Sequence, residues 1–371
     1  MTESAYDFIE QTDRSAVKTR IVTKYFGTWA GIISRNNEKM FYIDLFSGQG
    51  KFDDGTESTP IEVVKIISGN PDFKRKIQCY FNEGDETRCK KLKEYLSQLE
   101  DIKSFRYQPI VENNIVDASS IKKFSNWKEP SFVFLDPCGY KGLSLELISN
   151  FAGAWGTDII IFFNYNAINR SVSYENFEPV MKDLFGNEHY QNIQSRLRNQ
   201  EDREYVILDE MIKALNGVGL TYVLPFSFKF SNMNRTSHYI LFATKNILGY
   251  KKMKEIMHKE GGCTDYGEGK FEYIPFSNCM RRQKSLFDYF NDTHEEFKKR
   301  LLEKYSGRTL TTKQLIDDDT AYSRYIDGGY KIVLYEFYET GKITCDPRPQ
   351  RKGTMADHIK ITFKEIDHGS D

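Results

Sequence analysis

The chain alternates between two hydrophobic periods. Residues 14–35 carry Val17, Ile21, Tyr25 and Trp29 at four-residue steps, with Val22 beside them, and this apolar stripe predicts an amphipathic helix. Residues 41–46 (FYIDLF) form a continuous apolar run closed by Ser-Gly-Gln-Gly, the pattern of a buried strand entering a glycine turn. Thr59-Pro60 opens a helix over 61–68, since threonine can cap and proline fits the first helical position, and Gly69-Asn70-Pro71 stops it. Further strands are predicted at 77–82, more weakly at 107–111, and at 131–136 (SFVFLD) and 158–164 (DIIIFFN). Helices fall between them at 86–99, for one turn at 121–124, and at 143–151. Strands without polar alternation are covered on both faces, so the order predicts an α/β fold with a largely parallel sheet between helices. Residues 166–218 read as a mostly helical insertion over the substrate side. Two closing strands, 222–229 and 239–244, follow with a hairpin connection between them.

Beyond residue 280 the pattern changes. Phe287, Phe290, Phe297, Leu301 and Leu302 mark a helix ending near Gly307, and 312–316 is a short second helix. Tyr330, Val333, Leu334, Phe337 and Tyr338 fall at i, i+3, i+4, i+7 and i+8, with Gly341 in the stop position. Two strands follow, at 342–345 and through Ile359, Ile361 and Phe363, around the basic turn DPRPQRKGTM. Three helices, a strand, a basic loop and a strand outline a winged-helix-like α+β module. Two domains are therefore expected, 1–280 and 281–371, as suits a chain of 371 residues.

Charge narrows the partners. Lys plus Arg is 52 and Asp plus Glu is 53, which excludes a uniformly basic nucleic-acid coat but leaves room for a local basic face. The 345–364 segment holds five basic and two acidic residues, so Arg348, Arg351 and Lys352 are a candidate wing for DNA or RNA phosphate, with a solvated hairpin as the plain alternative. The six cysteines show no C-x-x-C pair or zinc spacing, so no metal site is expected and a reducing cytoplasm suits them. No run approaches the roughly 20 apolar residues of a membrane span, and the polar, acidic start does not read as a signal peptide. Asp317-Asp318-Asp319 reads as a solvated helix end.

Two segments carry candidate chemistry. Asp44-Leu45-Phe46-Ser47-Gly48-Gln49-Gly50 follows the first strand, where glycines let the backbone bend and approach a ligand closely. The third glycine of a dinucleotide fingerprint is missing, which argues against a nicotinamide-dependent oxidoreductase. Glu83 ends the next strand, where a carboxylate can accept both hydroxyls of a ribose or merely cap the following helix. Asp136-Pro137-Cys138-Gly139-Tyr140 ends another buried strand on the same rim. Asp136 can accept a hydrogen bond from an amino group, Pro137 helps hold it extended, and Tyr140 can stack on a flat base. Cys138 has no activating histidine nearby in sequence and reads as a plain thiol.

Together these segments resemble class I methyltransferases, which bind S-adenosylmethionine. DLFSGQG is similar to the DLF(A/S)GxG loop of cytosine-C5 DNA methyltransferases. DPCGY is similar to the (D/N)PP(Y/F/W) loop of amino-group methyltransferases, and more so to the DP(F/Y)G form of tRNA dimethylguanosine methyltransferases. Over nearly the whole chain, YIDLFSGQG, STP, FLDPCG, FNYNAINR, DLFG and YILFATK resemble the three-Cys-motif partner (TcmP) family, whose cysteines belong to its partner protein. The resemblance implies a Rossmann-like methyltransferase sheet with S-adenosylmethionine as cofactor. It places Asp44, Phe46, Ser47, Gly48 and Gly50 around the methionine part of the cofactor and Glu83 on its ribose. Asp117, or else Asn113 or Asn114, stands where an adenine-binding residue is expected. Asp136, Pro137 and Tyr140 match the catalytic loop, and Asn164 and Arg170 match family positions without an assigned role. The chain departs from the pattern at 51–58, eight residues inserted after the glycine turn, and at Cys138, which replaces a second proline.

The expected function is methyl transfer to an exocyclic amino group of a nucleic-acid base, performed with a three-Cys-motif protein partner. The alternative is a catalytically inactive, methyltransferase-like binding protein that docks protein or DNA through its second module. Bacterial origin follows only from the resemblance.

Overall fold

The computed structural model describes residues 12–230, 235–261, 271–273, 293–351 and 354–365. Phe287, Phe290 and Lys352 lie outside these. The chain divides into two compact units, Met1–Ile256 with Glu272–Gln283, and Met257–Phe271 with Lys284–Asp371.

Unit 1 is built on an eight-stranded sheet: β1 (Met40–Asp44), β2 (Ile77–Asn82), β3 (Ile110–Glu112), β4 (Ser131–Leu135), β5 (Asp158–Phe163), β6 (Tyr222–Lys229), β7 (Thr236–Thr244) and β8 (Glu272–Tyr273), in the order β3-β2-β1-β4-β5-β7-β6-β8. β3 through β5 are parallel in that order, and β7 runs antiparallel to both β5 and β6. This is a Rossmann-like α/β fold. Its strand order reverses between β1 and β4, which makes the crevice beyond their carboxyl ends the place where such sheets take ligands. Every residue of β1 and β4 is buried, as their unbroken apolar sequence requires.

α1 (Asp13–Ile33) starts where Thr12 Oγ1 accepts from Ser15 N–H, and it buries the predicted stripe from Val17 to Ile33. Several aromatic rings pack beneath it. Phe26 meets Tyr42 and Phe132 with ring centroids 5.3 and 5.7 Å apart, and Trp29 lies 5.9 Å from Phe132. Aromatic pairs of this kind add roughly 0.5–1.5 kcal/mol each beyond area burial. α2 (Thr59–Ser68) begins one residue earlier than expected, with Ser58 at the N-cap position but no side-chain capping bond. The expected stop at Asn70-Pro71 is also a start. Asn70 Oδ1 accepts from Asp72 and Phe73 N–H, and α3 (Pro71–Lys76) follows at once. α4 (Glu86–Ser97), α5 (Ala118–Lys123) and α6 (Leu145–Ala152) fill the remaining crossovers. The weak third strand sits three residues later than expected, at Ile110–Glu112.

After β5, α7 (Tyr165–Ser171), α8 (Glu178–Phe185), α9 (Asn187–Arg198) and α10 (Arg203–Gly217) form the helical insertion. Arg196 ties α9 to α10 by pairing with Asp209 and, at 2.8 Å, with the buried Glu210. α11 (Ile247–Gly261) follows β7, and the division between the units falls within it.

Unit 2 contains α12 (His294–Tyr305), β9 (Thr309–Thr311), α13 (Thr312–Asp319), α14 (Asp327–Glu339), β10 (Ile343–Asp346) and β11 (Lys360–Phe363). Its antiparallel sheet has the order β10-β11-β9, and its core gathers Phe297, Leu301, Tyr330, Val333, Phe337, Ile361 and Phe363. Strand β9, only three residues long, has no counterpart in the sequence reading. The aspartate run also needs correction. Asp319 is fully buried, held bidentately by Arg300 at 2.6 and 3.0 Å and bonded by Lys304 and Tyr330. Arg348 and Arg351 are exposed between β10 and β11.

Candidate functional site

A cleft of about 190 Å³ opens at the switch point of unit 1. Its lining includes Asp44, Phe46, Ser47 and Gly48 from the glycine turn, and Phe134 and Asp136 from the end of β4. Ser15, Lys18 and Thr19 come from α1, Lys51 and Phe52 from the inserted loop, and Arg88 from α4. Asp44 pairs in register with Phe81 of β2 and Phe134 of β4, so the carboxyl ends of three neighbouring strands meet here.

The glycine turn is held from both sides. Gly48 and Gly50 have φ of +69° and +86°, a region open to glycine and costly for most residues. A Cβ on Gly50 would also stand 3.0 Å from Leu92 Cδ1. Ser47 N–H and Oγ both donate to Asn82 O, at 2.9 and 3.0 Å. The Asn82 side chain donates in turn to Leu45 O and Asn114 O, at 3.0 and 2.9 Å. Asn82 thus welds the ends of β1, β2 and β3 together, a role that only its polar side chain at the end of an apolar run could have suggested.

The eight-residue insertion folds back on itself. Phe52 N–H donates to Thr56 O, Lys51 and Glu57 form an antiparallel bridge, and Ser58 N–H and Oγ both return to Gly50 O at 2.8 Å. The departure from the family pattern therefore forms a small hairpin that adds Lys51 and Phe52 to the cleft wall.

Glu83 is buried. Its Oε2 accepts from Gly48 N–H at 2.8 Å and its Oε1 from Asp85 N–H at 2.9 Å. Each carboxylate oxygen has a second lone pair, so both can still accept a ligand hydroxyl. Asp117 stands apart. It is exposed, and its Oδ1 caps α5 by accepting from Ser119 and Ser120. Asn113 donates to Glu83 O at 2.7 Å, and Asn114 donates to Glu112. Among the expected site residues, Gly50, Glu83, Asn113, Asn114, Asp117, Pro137 and Tyr140 do not line the cleft.

Asp136 is one-fifth exposed and forms an ion pair with Lys18. Lys18 Nζ also lies 4.5 Å from the centre of the Phe162 ring. The sequence could not pair residues 118 positions apart. Asp136 does not cap the turn before α6, because Ser144 does that. Pro137 is buried and Cys138 exposed. Tyr140 is buried too, with its hydroxyl 2.8 Å from Ser171 Oγ, so it braces the loop against α7 instead of offering a stacking face. Asn164 caps α7 by accepting from Ala167 N–H, and Arg170 is exposed.

The electrostatics of the cleft centre on Asp44. Burial lifts its carboxyl from 3.8 to about 8. Asp136 and Glu83 push the same way, and Phe46 N–H and Lys18 oppose them. Burial thus keeps Asp44 protonated at neutral pH, in a cleft whose lining also holds Asp136 and the cations Lys18, Lys51 and Arg88.

No family model matches the chain, and no curated protein matches it in sequence. Solved structures align with part of the chain. The methyltransferase domain of bacterial CtHen1 aligns at 14% identity over 60% of this chain and 98% of its own, with a TM-score of 0.32. A precorrin-6y C5,15-methyltransferase from Geobacter metallireducens aligns at 13% identity over 66% and 93%, with a TM-score of 0.31. The DszA carbon methyltransferase aligns at 10% identity over 64% and 56%, with a TM-score of 0.38. The reading of the site rests on its own geometry.

Proposed function

We propose that unit 1 binds S-adenosylmethionine in the switch-point cleft and methylates an exocyclic amino nitrogen of a nucleic-acid base. The observation that carries this reading is the buried Asp44 carboxyl in the switch-point cleft, beside a glycine turn with open space at Gly48. S-adenosylmethionine, when bound, supplies a methyl group on a positively charged sulfur and brings an ammonium as well. Asp44, Phe46, Ser47, Gly48 and Gly50 would surround its methionine part, and Glu83 would take the ribose hydroxyls with its two remaining lone pairs. Asp117, Asn113 and Asn114 remain candidates for the adenine.

Asp136 would accept a hydrogen from the substrate amine, orient the nitrogen and take up the proton released on transfer. Such a role is typically worth ~10²–10⁴-fold in rate. Its carboxylate is paired with Lys18, so the amine must displace that ammonium or share the acid with it. A base within a duplex would also have to be flipped out to reach Asp136. Pro137 and the buried Tyr140 hold the loop.

Unit 2 reads as a winged helix, with α14 as the third helix and the turn carrying Arg348 and Arg351 as the wing. It would dock a three-Cys-motif protein or nucleic acid. The Lys18–Asp136 pair also favours a second reading, a non-catalytic binding protein whose acid is engaged internally. Tritiated S-adenosylmethionine incubated with mixed RNA and DNA, with and without the partner, separates the two. Label in nucleic acid that Asp136→Ala removes, while cofactor binding persists in calorimetry, supports catalysis. Undiminished label in the variant refutes the role of Asp136, and no label under either condition supports the non-catalytic reading.

A further inference from the structure

Beyond the cleft, the end of α1 and the β6–β7 hairpin carry a continuous band of cations and aromatic rings. Arg14 and Lys18 are four residues apart on α1, hence on one face. Lys18 reaches Asp136 and the Phe162 ring, and His238 stacks on Phe162 with centroids 4.7 Å apart and planes 11° apart. Arg14 donates to Ser237 Oγ at 3.1 Å and lies 5.8 Å from the centre of the half-buried Phe230 ring. Arg235 lies 5.9 Å from the same ring and donates to Asn166 Oδ1 at 2.7 Å. The band begins at the candidate catalytic acid and ends at an exposed arginine.

Its charges do not cancel. Arg14, Lys18, Lys229 and Arg235 face two carboxylates, Asp136 paired with Lys18, and Glu204, 4.0 Å from Lys229. Asp202 and Arg203, at the start of α10, offset one another. Among the described residues neither Arg14 nor Arg235 has a carboxylate partner; both bond only to neutral oxygens. Two guanidiniums beside one ring, with no carboxylate partner among the described residues, form a place that a phosphate relieves. The cationic field is felt locally. Burial is the first cause that lowers the His238 imidazole to about 4, and Arg14 and Lys18 add to it.

We propose that Arg14, Phe230 and Arg235 form a binding surface for single-stranded nucleic acid, which delivers a nucleotide to Asp136. The guanidiniums take backbone phosphates, and the Phe230 ring offers a stacking face to an unpaired base. A single strand fits better than a duplex, because its bases are free to meet an aromatic ring. The inference builds on the reading of the substrate as nucleic acid, but its test needs no methyl transfer.

The test is fluorescence anisotropy on the full chain, without cofactor, using a labelled 20-nucleotide single-stranded RNA, the matching DNA, and the DNA duplex. For R14A/R235A the expected result is single-strand affinity at least tenfold weaker, with the slope of log K against log[salt] flatter by roughly 1–1.5 for two lost phosphate contacts. F230A should weaken binding with the slope unchanged, and R14K/R235K should keep both the slope and the fold if charge is what matters. Wild-type affinity in R14A/R235A overturns the surface, as does a loss confined to R348A/R351A or a preference for the duplex. If R14A/R235A weakens binding while the wild type transfers no label, the surface stands and the methylation reading falls. If the wild type transfers label and R14A/R235A binds normally, the reverse holds.

Discussion

Replacing Asp44 with asparagine isolates the electrostatic feature on which the cofactor reading depends. Asp44 is 1% exposed, and burial raises its carboxyl from 3.8 to about 8. The folded chain therefore holds a proton that the unfolded chain gives up. Where the folded state binds more protons, stability falls as pH rises. The loss begins near pH 4, as the unfolded carboxyl ionises, grows through neutrality, and levels off above about pH 8, when the folded carboxyl ionises too. At pH 7 the unfolded group lies about three units above its pKa, so the penalty is on the order of 4 kcal/mol. Asparagine has no proton to lose, and its Oδ1 can still accept from Phe46 N–H, now 3.1 Å from Asp44 Oδ1. Asp44→Asn should thus match the wild type near pH 4 and exceed it by several kcal/mol, about 4–5, at pH 7–8. Urea unfolding at four pH values measures this. Trp29, Trp127 and Trp155 are the chain's three tryptophans and all lie in unit 1, so their fluorescence reports on that unit. A stability difference that does not change with pH would refute the assignment. The same variant should bind S-adenosylmethionine at least tenfold more weakly, since a charge-assisted contact is worth about 1.5–3 kcal/mol. More stable yet weaker-binding is the joint signature of a carboxyl kept for a cation.

Three further outcomes follow from the site and from unit 2. Glu83→Ala should weaken S-adenosylmethionine binding by ~1.5–3 kcal/mol, and unchanged affinity in calorimetry would reject the ribose role. Gly50→Ala should destabilise unit 1 by about 1–3 kcal/mol, because its φ is +86° and the new methyl meets Leu92; an unchanged melting temperature would count against that geometry. Asp319→Ala should cost unit 2 about 1–3 kcal/mol by removing the bidentate partner of Arg300 and the acceptor of the buried Tyr330 hydroxyl, and an unchanged melting temperature in circular dichroism would count against that network.

The parts of the fold that could be read in advance have causes that are local along the chain. An apolar run with no alternation must be buried on both faces, which placed β1, β4 and β5 within two residues of where they lie. The glycine turn was visible because its backbone conformation needs glycine at 48 and 50. Where local signals compete, the reading slipped. Asn70-Pro71 stops one helix and starts the next, and both functions use the same residues. A strand of three residues such as β9 is too short to show a period.

The chemistry of the site depends on contacts that no local signal encodes. Asp136 was found as an acid at a strand end, but Lys18 decides what it can do, and 118 residues separate them. Asp319 fails in the same way. As the last of three aspartates it looks solvated, until α12 brings Arg300 and Lys304 against it. The difference between the two acids lies in what surrounds them. Asp319 is sealed among Arg300, Lys304 and Tyr330, so its charge is committed to the fold. Asp136 has one ammonium for a partner and keeps a fifth of its side chain open at the cleft. A buried charge with a full set of partners is structure. A half-open acid with a displaceable partner can exchange that internal contact for a ligand, which is what the proposed role of Asp136 requires of the Lys18–Asp136 pair.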